Sequence, residues 1–479
     1  MDLPKEIRYR PYHEWSEQEF QIIKANVSNS PWRVHYHIEP RTGLLNDPNG
    51  FSYFNGQYHL FYQNWPYGPA HGLKQWVHLI SDDLVHFEET GIKLLPDHIN
   101  DKEGAYSGSA YPAGDQLFLF YTGNVRDANW LRDPRQIGAY LSTDGQLEKC
   151  SQVLISQPTD VTEHFRDPQI FEYQDQLYAI IGAQSHEKRG FIKLYKAINN
   201  DVENWEFVSN LDIGRQASEY MIECPNLVFV DQTPVLIYCP QGLSKKELAY
   251  ANIYPNTYQI FEAFDPANGC LIGQAPLRNL DFGFDTYATQ AFNTPDGRVL
   301  AISWIGLPDI DYPTDHYDYQ GALSLVKELT IQDGVLYQKP VQALSELKIN
   351  PQILDETEHT SNSYLLEITV PKCDQKRLTL FADAKGQGLA ITIDTQEGWM
   401  SLDRSQSSNR FAEHFGTKRS CQIPKEDVTL NIYVDQSIVE IFINNGQFVL
   451  TSRYFPEEKA SAILMPDGKV KGLYYEMRY

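Results

Sequence analysis

From His35 to about Gln338 the apolar residues come in short runs, bounded by Gly, Pro, Asn or Asp. Runs of this length between turn formers predict β-strands and hairpins, not helices. Five stretches share one template of apolar strand, turn and second apolar strand: Phe51–Gln63, Ser107–Tyr121, Ile170–Ile181, Leu227–Tyr238 and Thr289–Trp304. The units recur roughly every 55 to 65 residues, and a period of that size built from short strands predicts a propeller with one four-stranded blade per unit.

Outside this region the pattern changes twice. Trp15–Lys24 reads as a helix, with Ser16 as its cap and Glu19 three residues later. Residues 1–30 are therefore expected to form a partly helical N-terminal extension packed on a propeller spanning 31–338. Residues 339–354 read as a linker, with a short helix in Val341–Lys348. From 355 to 479 strict alternation returns in Leu366–Val370, Leu389–Asp394, Val428–Val434 and Ile438–Ile443, and Asn444-Asn445-Gly446 is a hairpin turn. Strands at this spacing predict a β-sandwich. The expected fold is thus all-β, a five-bladed β-propeller followed by a β-sandwich whose role is structural support.

A chain of 479 residues is too long for one ordinary core, which agrees with two domains. The formal charge of -23 excludes nucleic acid as a partner, and an anionic substrate would require a local cluster of cations. No apolar run approaches a membrane span, and Met1–Arg8 lacks the apolar core of a signal peptide. The six cysteines are scattered without a CxxC pair, which suits reduced thiols in the cytoplasm. No zinc site stands out, and neither a metal nor another cofactor is expected. Oligomeric state is left open.

Three of the five units open on an acid at nearly the same offset: Asp47 in Asn46-Asp47-Pro48-Asn49-Gly50, Asp167 in Phe165-Arg166-Asp167-Pro168, and Glu223 in Ile222-Glu223-Cys224-Pro225. Turn chemistry alone explains an Asp-Pro, but not three acids at equivalent positions. If the units close around one axis, the three carboxyl groups share a pocket, and paired carboxyls are what glycosidic bond cleavage needs.

These motifs resemble glycoside hydrolase family 32, which includes invertases, fructanases and sucrose-6-phosphate hydrolases. Further matches in the family's order are Phe61-Tyr62-Gln63, Trp76-Val77-His78, Tyr106–Ser109, Phe284–Gln290, Trp304–Pro308 and Val434–Phe442. The resemblance implies the same two-domain fold. It makes Asp47 the nucleophile, Glu223 the general acid/base, and Asp167 the acid that holds fructose hydroxyls. It also implies a sugar pocket containing Leu44, Leu45, Asn46, Gln63, Trp76, Tyr106, Ser107, Arg166 and Trp304. Leu44-Leu45 departs from the Trp-Met of many members and should alter a pocket wall. Lys74-Gln75-Trp76-Val77-His78 departs from the His-Trp-Gly-His of many secreted members, which points to the branch acting on sucrose 6-phosphate.

Local chemistry adds further expectations. Apolar neighbours should keep Glu223 protonated, turn amides should stabilise the Asp47 anion, and Arg166 should keep Asp167 charged. Lys74 and Arg126, with His71 and His316, are the candidate phosphate ligands. The expected function is retaining hydrolysis of sucrose 6-phosphate to glucose 6-phosphate and fructose. The same chemistry on sucrose or short fructooligosaccharides is the nearest alternative, and a non-catalytic sugar-binding propeller is the alternative of another class.

Overall fold

The computed structural model describes residues 3–479. Between Gly43 and Pro340 five sheets of four or five strands follow one another along the chain, with a two-stranded ribbon beside the fourth. Their innermost strands are Gly43–Phe54, Ala105–Ala113, Val161–Tyr173, Met221–Val230 and Thr286–Asn293. Each of these packs on the next, and the fifth packs on the first, so the sheets close into a ring around one axis. Parallel pairing of Tyr319–Gln320 with Gly43–Leu44 adds a late strand to the first sheet and ties the ring shut. Because neighbouring sheets stack face to face, a middle strand is covered on both sides. This is why Leu117 to Tyr121 are all fully buried in a continuous apolar run, with no alternation.

Every innermost strand carries a register shift at the same level: Leu45/Pro48, Ala105/Gly108, Arg166/Gln169, Glu223/Asn226 and Tyr287/Gln290. A bulge inserts an extra residue and re-aims side chains. Just beyond the bulges, amide side chains link the sheets. Asn49 accepts from the Gly108 N–H (2.8 Å), Gln169 bonds both backbone groups of Leu227, and Gln290 accepts from the Phe51 N–H (2.7 Å) while donating to the Gly108 carbonyl. Gly50 closes the first motif with φ 56°, and a Cβ there would lie 2.7 Å from the Phe61 ring.

The second unit is a pair of six-stranded sheets. The stretch expected as a linker is shorter than its sequence suggests. Gln342–Leu347 is a 3-10 turn, and Lys348–Ile353 pairs with Lys471–Met477 as a strand of the second unit. The Asn444–Gly446 turn has positive φ at all three residues and joins Ile438–Ile443 to Phe448–Arg453. The two units share one hydrophobic cluster, with Leu365, Tyr433, Phe442, Val449 and Phe455 packed among propeller residues.

The N-terminal helix spans Glu17–Ser28, and Ser16 and Glu19 form its reciprocal cap. The six cysteines are free, and among the described residues no helix is long and apolar enough to cross a membrane.

Candidate active site

The bulges place the three acids on one cavity of about 340 Å³ at one end of the ring. Asp47, Asp167 and Glu223 all line it, with Asn46, Gln63, Ser107, Arg166, Tyr287 and Trp304. The backbone is strained where the acids are aimed: Asp167 has φ 68° and Cys224, next to Glu223, has φ 48°. A second cavity of about 380 Å³ lies at the opposite end of the same inner strands. Glu172 is its one carboxylate and no cation lines it, so it lacks the groups for acid chemistry.

Each acid has its own set of partners. Asp47 Oδ2 accepts from the Ser107 hydroxyl, and Oδ1 accepts from Asn46 Nδ2 at 3.1 Å. Its donors are thus side chains, and not the turn amides expected from the sequence, because Asn46–Gly50 lies within a strand. Asn46 is in turn held by Gln63 Oε1 (3.0 Å) and by the Lys74 ammonium. Glu223 Oε1 accepts from Arg166 Nε (3.1 Å) and Nη2 (2.6 Å), and Oε2 meets Tyr287 Oη at 2.7 Å and Gln241 Nε2. The expected apolar surroundings of Glu223 are absent. Met221 and Ile222 are fully buried in the sheet, while the carboxyl faces polar groups.

The expectation that Arg166 keeps Asp167 charged holds only in part. The guanidinium lies 4.0 Å from Asp167 and 2.6 Å from Glu223, since the bulge turns adjacent side chains to different partners. Burial pushes the Asp167 carboxyl well above the ordinary carboxylate range. Arg166 opposes this, the neighbouring Glu223 and Asp47 add to it, and the Cys224 N–H, 3.0 Å from Oδ2, offsets part of it.

Several expected pocket residues lie elsewhere. Leu44 and Leu45 are fully buried in the core shared by the two units, because this strand is covered on both faces. Trp76 is also fully buried and stands behind the pocket, where its indole N–H donates to the Tyr106 carbonyl at 3.0 Å. His316 borders a separate cavity with Arg410 and His414. Its 3-10 turn is pinned there by Asn26, which donates to the His316 carbonyl. Lys74, His71 and Arg126 do line the site cavity. Lys74 is nearly inaccessible and burial lowers its pKa to about 7, against the pull of Asp47. Its bond to Asn46 makes it a support for Asp47.

The cavity is also lined by residues not expected from the sequence, among them Tyr9, Arg132, His164, Gln241 and Tyr287. Arg132 was legible in principle. The turn-rich Asp127–Leu131 stretch makes a hairpin that sets Arg132 directly opposite Arg126. His164 Nδ1 lies 2.9 Å from Arg166 Nη1. Burial, with Arg166 and Arg132 nearby, lowers its pKa to about 4, so the ring stays neutral and accepts from Arg166. Among the described residues no cluster of metal-ligating side chains occurs.

The family models settle the relationship. The chain matches the glycosyl hydrolases family 32 N-terminal domain over residues 37–340 and the family 32 C-terminal domain over 336–472. The chain belongs to glycosyl hydrolase family 32. Among family 32 proteins it is 60% identical to a sucrose-6-phosphate hydrolase of Streptococcus mutans, over 100% of both chains. The structure of a sucrose-6-phosphate hydrolase from Lactobacillus gasseri superposes with a TM-score of 0.96 at 42% identity, covering 100% of this chain and 99% of the other. A Bombyx mori family 32 β-fructofuranosidase solved in complex with sucrose gives a TM-score of 0.82 at 27% identity, covering 96% and 97%. The propeller-plus-sandwich architecture is that of the family.

Proposed function

We propose that this family 32 chain hydrolyses sucrose 6-phosphate to glucose 6-phosphate and fructose by a retaining mechanism. The observation that carries the reading is the convergence of Asp47, Asp167 and Glu223 on one cavity. Full-length similarity to a sucrose-6-phosphate hydrolase supports the substrate.

Glu223 gives its proton to the glycosidic oxygen as Asp47 attacks the anomeric carbon of fructose. The Tyr287 hydroxyl beside Oε2 can donate or accept, so it serves Glu223 with or without its proton. Ser107 and Asn46 hold the Asp47 carboxylate in place for the attack. Water then enters, Glu223 takes its proton, and the fructosyl–Asp47 ester is cleaved. Asp167, desolvated and directed at the cavity, holds fructose hydroxyls through the transition state. The reaction needs no metal. The expected compartment is the cytoplasm, which suits six cysteines that are all free thiols.

The test compares kcat/KM on sucrose 6-phosphate and on sucrose, with NMR of the first fructose anomer released. A preference for the phosphorylated sugar and initial β-fructofuranose are expected. Equal use of both sugars removes the substrate assignment, and initial α-anomer removes the retaining mechanism.

A further inference from the structure

Two arginines face the cavity without a counter-ion. Arg126 and Arg132 are a directly opposed cross-strand pair. Like charges placed this way destabilise a hairpin. Among the described residues neither guanidinium has a carboxylate within ion-pair distance, although the chain carries a net charge of -23. The Nε atoms of both are buried without a hydrogen-bond partner. Arg126 Nη1 donates to the Trp130 carbonyl at 3.1 Å and its guanidinium lies over the Trp130 ring at 5.4 Å, while the Arg132 guanidinium lies over the Tyr106 ring at 5.3 Å. Buried donors left open in a cavity favour an anion, and planar guanidinium forks match phosphate oxygens.

The N-terminal segment completes this corner. Tyr9 lines the cavity and packs edge-on against Trp130 at 5.0 Å, and the Lys5 ammonium sits 3.4 Å from the Trp130 ring centre. The Arg8 carbonyl accepts from the Leu73 N–H, and Tyr12 donates to the Leu73 carbonyl, so the same segment fixes the loop before Lys74. These residues precede the stretch matched by the family model, which begins at 37.

We propose that Arg126 and Arg132, with the hydroxyls of Tyr9 and Tyr106, form the subsite that receives the substrate's phosphate, and that the N-terminal segment before residue 37 is a working part of it. The inference rests on the function proposed above. Lys74 lies outside this subsite, because its ammonium is taken by Asn46 beside the nucleophile. Burial would raise the Tyr106 phenol, but the Arg132 and Arg126 charges override it and hold its pKa below the ordinary value. A phosphate of nearly two negative charges fits a corner so positive.

The experiment measures kcat/KM for sucrose 6-phosphate and for sucrose in the full-length protein and in Arg132→Gln, Arg126→Gln and Tyr9→Phe. It also measures inhibition of sucrose hydrolysis by glucose 6-phosphate. Losing one charge-assisted contact lowers affinity about ten- to hundredfold. Each arginine variant is therefore expected to lower the sucrose 6-phosphate to sucrose ratio of kcat/KM about tenfold or more, through KM, and to weaken glucose 6-phosphate inhibition by a similar factor. Tyr9→Phe is expected to shift the ratio in the same direction by a smaller factor. A ratio and an inhibition constant unchanged by either arginine variant overturn the subsite. A wild-type enzyme without preference for the phosphorylated sugar overturns the substrate reading instead. In that case, tight glucose 6-phosphate inhibition lost in Arg132→Gln still supports the subsite, and its absence overturns it.

Discussion

Asp167 sits where a charge is costly, buried beside two other acids with its nearest guanidinium turned to Glu223. An acid whose pKa is raised by folding destabilises the native state once pH exceeds its unfolded value. Asp167→Asn is therefore expected to raise Tm at pH 7 while lowering kcat by at least about a hundredfold, the usual opposition of stability and activity. Asn also tolerates the left-handed backbone at this position. A lowered Tm from calorimetry would contradict this account. Lys74 gives a second prediction at the same scale. Since it supports Asn46 and hence Asp47, Lys74→Met is expected to lower kcat on sucrose and on sucrose 6-phosphate by the same factor. An effect confined to the phosphorylated sugar would return Lys74 to the phosphate site.

At the scale of the element, the recurring bulge decides what the innermost strands do. It lets five strands of one design present different side chains at the same level, with acids on three of them. The cross-links beyond the bulges keep that geometry, and Gln290 is the most connected, since it reaches the first and second sheets from the fifth. Gln290→Leu leaves the buried Phe51 N–H and Gly108 carbonyl unpaired, at about 1 to 3 kcal/mol each. Urea unfolding is expected to show a loss of roughly 2 to 6 kcal/mol, together with reduced activity because Ser107 adjoins Gly108. A change below about 0.5 kcal/mol, the range of an ordinary surface substitution, would mean the cross-link has no structural role.

The whole molecule is held together by charged groups as well as by the shared core. His37, just ahead of the propeller, meets Asp435 at 3.0 Å and Glu440 at 3.1 Å in the second unit. Burial opposes its charge, but the two carboxylates prevail and raise its pKa to about 9. A histidine whose pKa is raised by folding adds stability that is complete below the unfolded value of about 6.5 and is lost as pH rises through the folded value. Tm is thus expected to decline from about pH 6.5 to pH 9, and His37→Gln is expected to flatten that decline. Parallel profiles for the two proteins would exclude His37 as its source.

The sequence by itself determined the features that depend on near neighbours. Apolar runs between turn formers marked the strands, the spacing of Asp47, Asp167 and Glu223 marked the repeat, and Ser16 with Glu19 marked the helix start. Each of these is set within a few residues of chain, so the pattern carries the physics. What serves each acid was decided only by the tertiary structure. Arg166 precedes Asp167 in sequence yet bonds Glu223, because a bulge separates neighbours in direction. Leu44, Leu45 and Trp76 lie close to site residues in sequence yet fill cores, because the sheets cover these strands on both faces. Tyr9 reaches the cavity from outside the ring, because the N-terminal segment docks on Leu73 and Trp130. Contacts of that kind depend on which faces meet, and no local pattern records them.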